Sequence, residues 1–164
     1  WRAVEDTVVH RTQVVWMSDW LLEDAAEWAR EAPGIVWVDH PEFGHRLEKL
    51  TGFRYYGGGD EAAKEILKED GSRSIICSVE ANKRGKNLQF LNRNLIVSFP
   101  ASNDTVEQLV GRTARSGQSA AEVTVHYYAH TEELEDAIAK AKARGKFVNE
   151  ILGSEQKICW GTWR

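Results

Sequence analysis

The chain has 164 residues, 42% hydrophobic and 28% charged, with 21 basic and 25 acidic side chains and a net charge of -4. Its length and composition suit one globular domain with one sizeable core, and the acidic balance excludes a protein that coats nucleic acid by bulk charge while allowing a local basic track. No apolar run approaches the roughly 18 residues of a membrane span, no signal peptide is visible, and the two cysteines, Cys77 and Cys159, form no CxxC or Cys/His cluster, so neither a membrane span nor a zinc site is expected.

In chain order, residues 1–17 have no clear period and read as a lead-in from a preceding lobe, in keeping with a first residue that is Trp1 rather than methionine. Ser18 is placed to cap a helix running to Glu31, with Leu21, Ala25, Trp28 and Ala29 on its inward face. Pro33-Gly34 ends it. The first strand is Ile35–Asp39, followed by a short helix from Pro41 to Leu50. A second strand, Phe53–Tyr56, runs into the turn Gly57-Gly58-Gly59 and a helix from Asp60 to Glu69. Strands Ser74–Val79 and Asn94–Phe99 are nearly continuous apolar runs, the pattern of strands buried on both faces. A helix from Asn103 to Ala114, a strand Glu122–Tyr128 and a helix starting at Thr131 complete the body. The last helix carries Leu134, Ile138 and Ala141 inward and is expected to break or bend near Gly145. Strands alternating with helices predict an α/β fold: three layers, with a mostly parallel central sheet flanked by helices. This domain is expected over 18–153, followed by a tail, 154–164, containing Trp160 and Trp163.

Chemistry concentrates in Gln108 to Gln118, QLVGRTARSGQ. Gln108, Arg112 and Arg115 are spaced i, i+4, i+7 and share one helical stripe. Val106, Leu109, Val110 and Thr113 occupy the opposite side and can face the sheet. Two arginines with no acid beside them await an anion from elsewhere, and the planar guanidinium donates two parallel hydrogen bonds to phosphate oxygens. Gly111 lies beside the stripe, where a side chain would obstruct close approach. The second segment is Ser78 to Gln89, SVEANKRGKNLQ, which emerges from a buried strand at the edge where open α/β sheets bind ligands.

Both segments resemble motifs of superfamily 2 helicases. QLVGRTARSGQ is similar to motif VI, and its trailing Gly117-Gln118 follows the Swi/Snf-type pattern Q-x-x-x-R-x-x-R-x-G-Q. SVEANKRGKNLQ resembles motif V of the same branch, with Ser78, Ala81, Gly85, Asn87 and Leu88 in register. Asn82-Lys83 departs from the glycine pair usual there. Gly34 to Asp39 resembles motif IV, and Thr131-Glu132-Glu133 is like a T-x-E-E stretch that follows motif VI. The likeness runs from about Ser18 to Ala139.

The resemblance implies the second, C-terminal RecA-like lobe of a helicase or translocase, closing on an N-terminal lobe around ATP and Mg2+. Arg115 would be the arginine finger, Arg112 would assist at the phosphates, and Gln108 would couple the cleft. Gly85 and Asn87 would sit on the nucleotide side. Ser78, Lys83, Arg84 and Lys86 would contact a nucleic-acid backbone, DNA rather than RNA. The sequence has no G-x-x-x-x-G-K-[ST] loop and no D-E-x-[HD] after a strand, so this chain by itself is expected not to hydrolyse ATP. Compact spacing suggests a minimal, viral or phage version, placed in the cytoplasm, the host's if viral, or in a eukaryotic nucleus. The alternative is a non-catalytic module of the same fold that docks nucleic acid or protein. A distinct nucleotide-binding α/β domain would need a glycine-rich turn after the first strand, where His40-Pro41-Glu42 stands. His40 and His45 match no zinc spacing and read as surface or capping residues. Cys77 and Trp37 read as core, and Trp20 and Trp28 are expected to pack their helix on the sheet.

Overall fold

The computed structural model describes residues 16–83, 85–159 and 162–163. The expected lead-in therefore lies almost entirely outside the described residues, as do Arg84 and Trp160. The elements are α1 (Trp20–Glu31), β1 (Ile35–Val38), α2 (Pro41–Thr51), β2 (Tyr55–Tyr56), α3 (Asp60–Glu65), β3 (Ile75–Ser78), α4 (Val79–Asn82), β4 (Arg93–Ile96), α5 (Asn103–Thr113), β5 (Thr124–Tyr127), α6 (Glu132–Leu152) and β6 (Thr162–Trp163). The strands form one sheet in the order β2-β3-β1-β4-β5-β6, and every pair is parallel.

The centre of the sheet is β1, whose four residues are all buried. A strand's alternation sends Ile35 and Trp37 to one face and Val36 and Val38 to the other. The first pair joins a core with Cys77, Ile96, Val106, Leu109, Val110, Ile138 and Ile158, beneath α3, α5 and α6. The second pair joins Leu22, Ala25, Ala26, Ala29, Leu47, Ile76 and Leu95, beneath α1 and α2. Two apolar faces on one parallel sheet require helices on both sides, and the three-layer α/β architecture follows.

Several expected boundaries shift. Asp19, not Ser18, holds the N-cap position of α1, and its side chain makes no capping bond. Ser18 Oγ instead accepts from Trp20 N at 3.2 Å. The inward stripe is Leu22, Ala25, Ala26 and Ala29 rather than one led by Leu21. That rotation leaves Trp20 59% exposed, edge-on to His130, while Trp28 does pack against the core. The helix expected over 60–69 tightens into a 3-10 turn at Ile66–Lys68.

The last helix does not break at Gly145. It runs unbroken for 21 residues and stops at Gly153, whose φ of 63° is the left-handed conformation glycine adopts at helix ends. Thr131 caps its start by accepting from Leu134 N at 3.3 Å. Gly145 is buried, and a Cβ there would lie 2.3 Å from Ile158 Cγ2. The residue admits a close neighbour rather than a kink.

That neighbour belongs to the Trp-containing tail. Lys157–Cys159 forms a 3-10 turn with Ile158 buried in the core. Thr162–Trp163 then pairs with β5, placing the Trp163 ring against Phe99 and Tyr127.

Candidate functional site

Helix α5 leaves the carboxyl end of β4 and runs back antiparallel to the strands. Its last turn therefore reaches the amino end of β4. A relay of buried polar groups pins it there. Trp37 Nε1 donates to Asn94 Oδ1 at 3.1 Å, Asn94 Nδ2 donates to Thr113 Oγ1 at 3.0 Å, and Thr113 Oγ1 donates to Val110 O at 3.1 Å. Asn94 and Thr113 are almost fully buried, and buried polar groups must find partners.

Gln108 and Arg112 lie on the outer side of α5. Arg112 Nε donates to Gln108 O at 3.1 Å and its Nη1 donates to Lys86 O at 3.0 Å. Burial, then the like charge of Arg115, holds the Arg112 pKa below its ordinary value. Arg115 is not on the helix. The helix ends at Thr113, and Ala114 at φ -80°, ψ 75° turns the chain away. Three residues of one expected stripe thus become two on a helix and one on the turn beyond it. The turn is closed by Gln118, whose Nε2 donates to Leu91 O at 2.9 Å and Thr113 O at 3.2 Å. Gly117 supplies the positive φ of 96° that the turn requires.

The turn aims Arg115 at the other segment. Its Nη1 donates to Asn87 Oδ1 at 2.6 Å. Leu88 N donates to Arg112 O at 3.0 Å, tying the two backbones together. Among the described residues no carboxylate pairs with Arg112 or Arg115. Gln108 Oε1 is buried and has no hydrogen-bond partner among them.

The loop 83–92 spans the sheet from the carboxyl end of β3 to the amino end of β4, so the sequence-selected residues divide. Asn87 joins the arginines. Ser78 stays at the far edge, 8% exposed, with its hydroxyl accepting from Ala81 N at 3.4 Å as the cap of α4. Lys83 pairs with Glu80 at 2.6 Å. Lys86 turns inward to Asn82 Oδ1, and burial lowers its pKa. Gly85, at φ 76°, is the exposed pivot, with open space where a Cβ would stand. Arg84 lies outside the described residues.

Asn82, at a position where the motif resembled has glycine, has a structural role. It is fully buried, and its Nδ2 donates to Tyr56 O at 2.6 Å and Ser78 O at 3.0 Å. Nothing in spacing or periodicity marks it, because its partners are backbone carbonyls at the ends of β2 and β3. Gln118 was visible only as a letter of the motif. Its amide geometry shows why a glutamine there serves the turn.

His40 takes the N-cap position of α2 without a side-chain capping bond, and Pro41 starts the helix. His45 stacks edge-on to Tyr55 at 4.8 Å. Among the described residues no group of three or more His, Cys, Asp or Glu could hold a metal ion, and none of their helices is long and apolar enough to cross a membrane.

No family model matches the chain. It is 32% identical over 101 residues to the RNA polymerase-associated protein RapA of Photobacterium profundum, covering 61% of this chain and 10% of RapA. RapA of Vibrio cholerae is 32% identical over 75 residues, 45% of this chain and 8% of that protein. The chain thus spans about a tenth of the length of the curated relatives it matches. Among solved structures it superposes on the C-terminal part of the Fun30 ATPase domain with a TM-score of 0.61 and 13% identity, covering 85% of this chain and 50% of that one. The Lhr helicase of Mycobacterium smegmatis, bound to ssDNA and AMP-PNP, matches with a TM-score of 0.55 and 14% identity over 84% of this chain and 20% of that one. The fold, a three-layer α/β domain with an all-parallel sheet, is therefore shared with these ATPase and helicase domains.

Proposed function

We propose that this chain is the second lobe of an ATP-dependent nucleic-acid helicase or translocase, and that Arg115 is its arginine finger. One observation carries the reading. Arg115 is oriented by a neutral amide, Asn87 Oδ1 at 2.6 Å, with no carboxylate partner among the described residues. A guanidinium held this way keeps its charge available to an incoming anion.

The residues present fit a nucleotide shared with a facing lobe. The Arg112 guanidinium spends Nε and Nη1 on Gln108 O and Lys86 O, which fixes its plane, and Nη2 would be the donor left for a phosphate. Gln108 would couple the cleft by turning its Oε1, buried here without a partner among the described residues, toward a donor of the facing lobe. Arg112 and Arg115 would hold the phosphates, with Gly85 and Asn87 on the nucleotide side. ATP with Mg2+ supplies the phosphoryl group whose transfer to water releases free energy. Arg115 donates to the oxygens that gain charge during that transfer, a contribution of roughly 10³ to 10⁵ in rate. Arg112 adds positive charge in a partly desolvated setting.

The nucleic-acid track is carried by Lys83 and Arg84 around the Gly85 pivot, contacting backbone phosphates without reading sequence. Ser78 and Lys86 support that loop from inside, where Ser78 caps α4 and Lys86 turns toward the buried Asn82, whereas Lys83 would exchange its exposed partner Glu80 for a phosphate. DNA is the proposed strand, and the partner is an N-terminal RecA-like lobe carrying the phosphate loop and D-E carboxylates. This chain alone is proposed to be inactive, because its sequence lacks both.

The test is Arg115→Ala in an intact protein that contains this lobe. Nucleic-acid-stimulated ATP hydrolysis should fall by about 10³-fold or more with the melting temperature unchanged. Turnover within about threefold of the parent would remove the finger assignment.

A further inference from the structure

Resting on the reading of Arg112 and Arg115 just given, we propose that Lys157 is a third cation of the same phosphate-facing surface, delivered by the C-terminal tail. At about 100° per residue, Gly111 falls on the outer face of α5 between Glu107 and Gln108. A Cβ at Gly111 would lie 3.7 Å from Lys157 Cε and 3.8 Å from Lys157 Nζ. The lysine therefore crosses the helix at a position that carries no side chain, beside the Gln108–Arg112 edge.

Its base is fixed and its tip is not. The Glu107 carboxylate accepts from Lys157 N and from Ile158 N, each at 2.8 Å. Ile158 is buried in the core and packs under Gly145 of α6. The Lys157 ammonium is 3.8 Å from Glu107 Oε2, beyond hydrogen-bond length, and its side chain is 42% exposed. Both Glu107 oxygens are already accepting backbone N–H groups, which weakens their hold on the ammonium. Among the described residues the ammonium thus keeps only a long ion pair with Glu107 and stands over Gly111, one residue before Arg112. A phosphate arriving at Arg112 and Arg115 would draw this ammonium out of its long ion pair, because a direct charged hydrogen bond is the stronger contact. Glu107 is the positioning residue, and Lys157 is the group that touches the nucleotide's phosphate oxygens.

The test uses the intact ATPase with Lys157→Met, Lys157→Arg and Arg115→Ala side by side. Losing one charged hydrogen bond should raise KM for ATP about tenfold and leave kcat within about twofold. Lys157→Arg should restore most of that loss. In the unmutated protein, Mg2+ with a non-hydrolysable ATP analogue should protect Lys157 from an amine-acylating reagent, read by mass spectrometry; this arm does not depend on a variant folding. Unchanged KM for Lys157→Met, or unchanged acylation with the analogue bound, overturns the role of Lys157 while Arg115→Ala still abolishes turnover. Normal turnover of Arg115→Ala instead overturns the underlying site, and this inference with it.

Discussion

Arg115 Nη1 donates to Asn87 Oδ1 at 2.6 Å, and this bond joins the turn after α5 to the loop after β3. Asn87 thus acts through Arg115. If Arg115 is the finger proposed above, Asn87→Ala in the intact protein should lower kcat about tenfold with KM for ATP little changed, because a guanidinium that wanders loses orientation rather than charge. Asn87→Asp should cost more than Asn87→Ala, since a carboxylate would pair with the guanidinium and hold it from the phosphate. Steady-state ATPase measurements order the three proteins. Asn87→Asp faster than Asn87→Ala would refute the arrangement.

The relay Trp37–Asn94–Thr113 carries the load under the site. Asn94→Leu strips the buried Trp37 Nε1 of its acceptor and Thr113 Oγ1 of its donor. The expected loss is about 2–4 kcal/mol in urea unfolding. Thr113→Val should cost less, because it removes one end of the relay only. Equal losses for the two variants would count against the relay as the anchor of α5.

The layers were legible in the sequence because buried parallel strands leave continuous apolar runs such as Ile35–Val38 and Ile75–Ser78. The outer placement of Gln108 and Arg112 on α5 was legible from their helical spacing; that of Arg115 was not. What the spacing missed was Ala114, an ordinary alanine whose backbone turns the chain off the helix axis. Nothing local marks that turn except Gly117, and its closing bonds come from Gln118 to Leu91 and Thr113. The tail was unreadable for a related reason: its contacts are with Glu107, Gly145 and Phe99, all distant in sequence. Trp20 was misplaced because a helix face containing three alanines carries a weak signal of where inward lies.

Acid should weaken the fold through Glu69. Burial pushes its carboxyl up, but hydrogen bonds from Arg73 and from the Tyr56 hydroxyl outweigh that and hold the pKa below the usual 4.5. A depressed carboxylate contributes stability that is fully present above its unfolded pKa and is lost as pH falls through the folded value. Glu69→Gln should therefore be less stable than the parent near about pH 7, and the difference should shrink toward about pH 3. Urea unfolding at the two pH values measures it. A difference that stays constant or grows in acid would contradict the assignment.

Gly145 offers a sign test. Replacing a helix-interior glycine by alanine ordinarily stabilises by up to about 1 kcal/mol. Here the added Cβ would stand 2.3 Å from Ile158 Cγ2 and 3.0 Å from Asn103 Oδ1. Ile158 cannot yield freely, since it is 5% exposed and its backbone N–H is held by Glu107. Gly145→Ala should therefore destabilise by about 1–3 kcal/mol, the cost of overpacking a core. Ile158→Ala removes the obstructing methyl, so the double variant should be more stable than the two single losses added together. Thermal unfolding followed by circular dichroism supplies all four corners of the cycle. A gain in stability for Gly145→Ala alone would mean that the tail does not pack against α6 in this way.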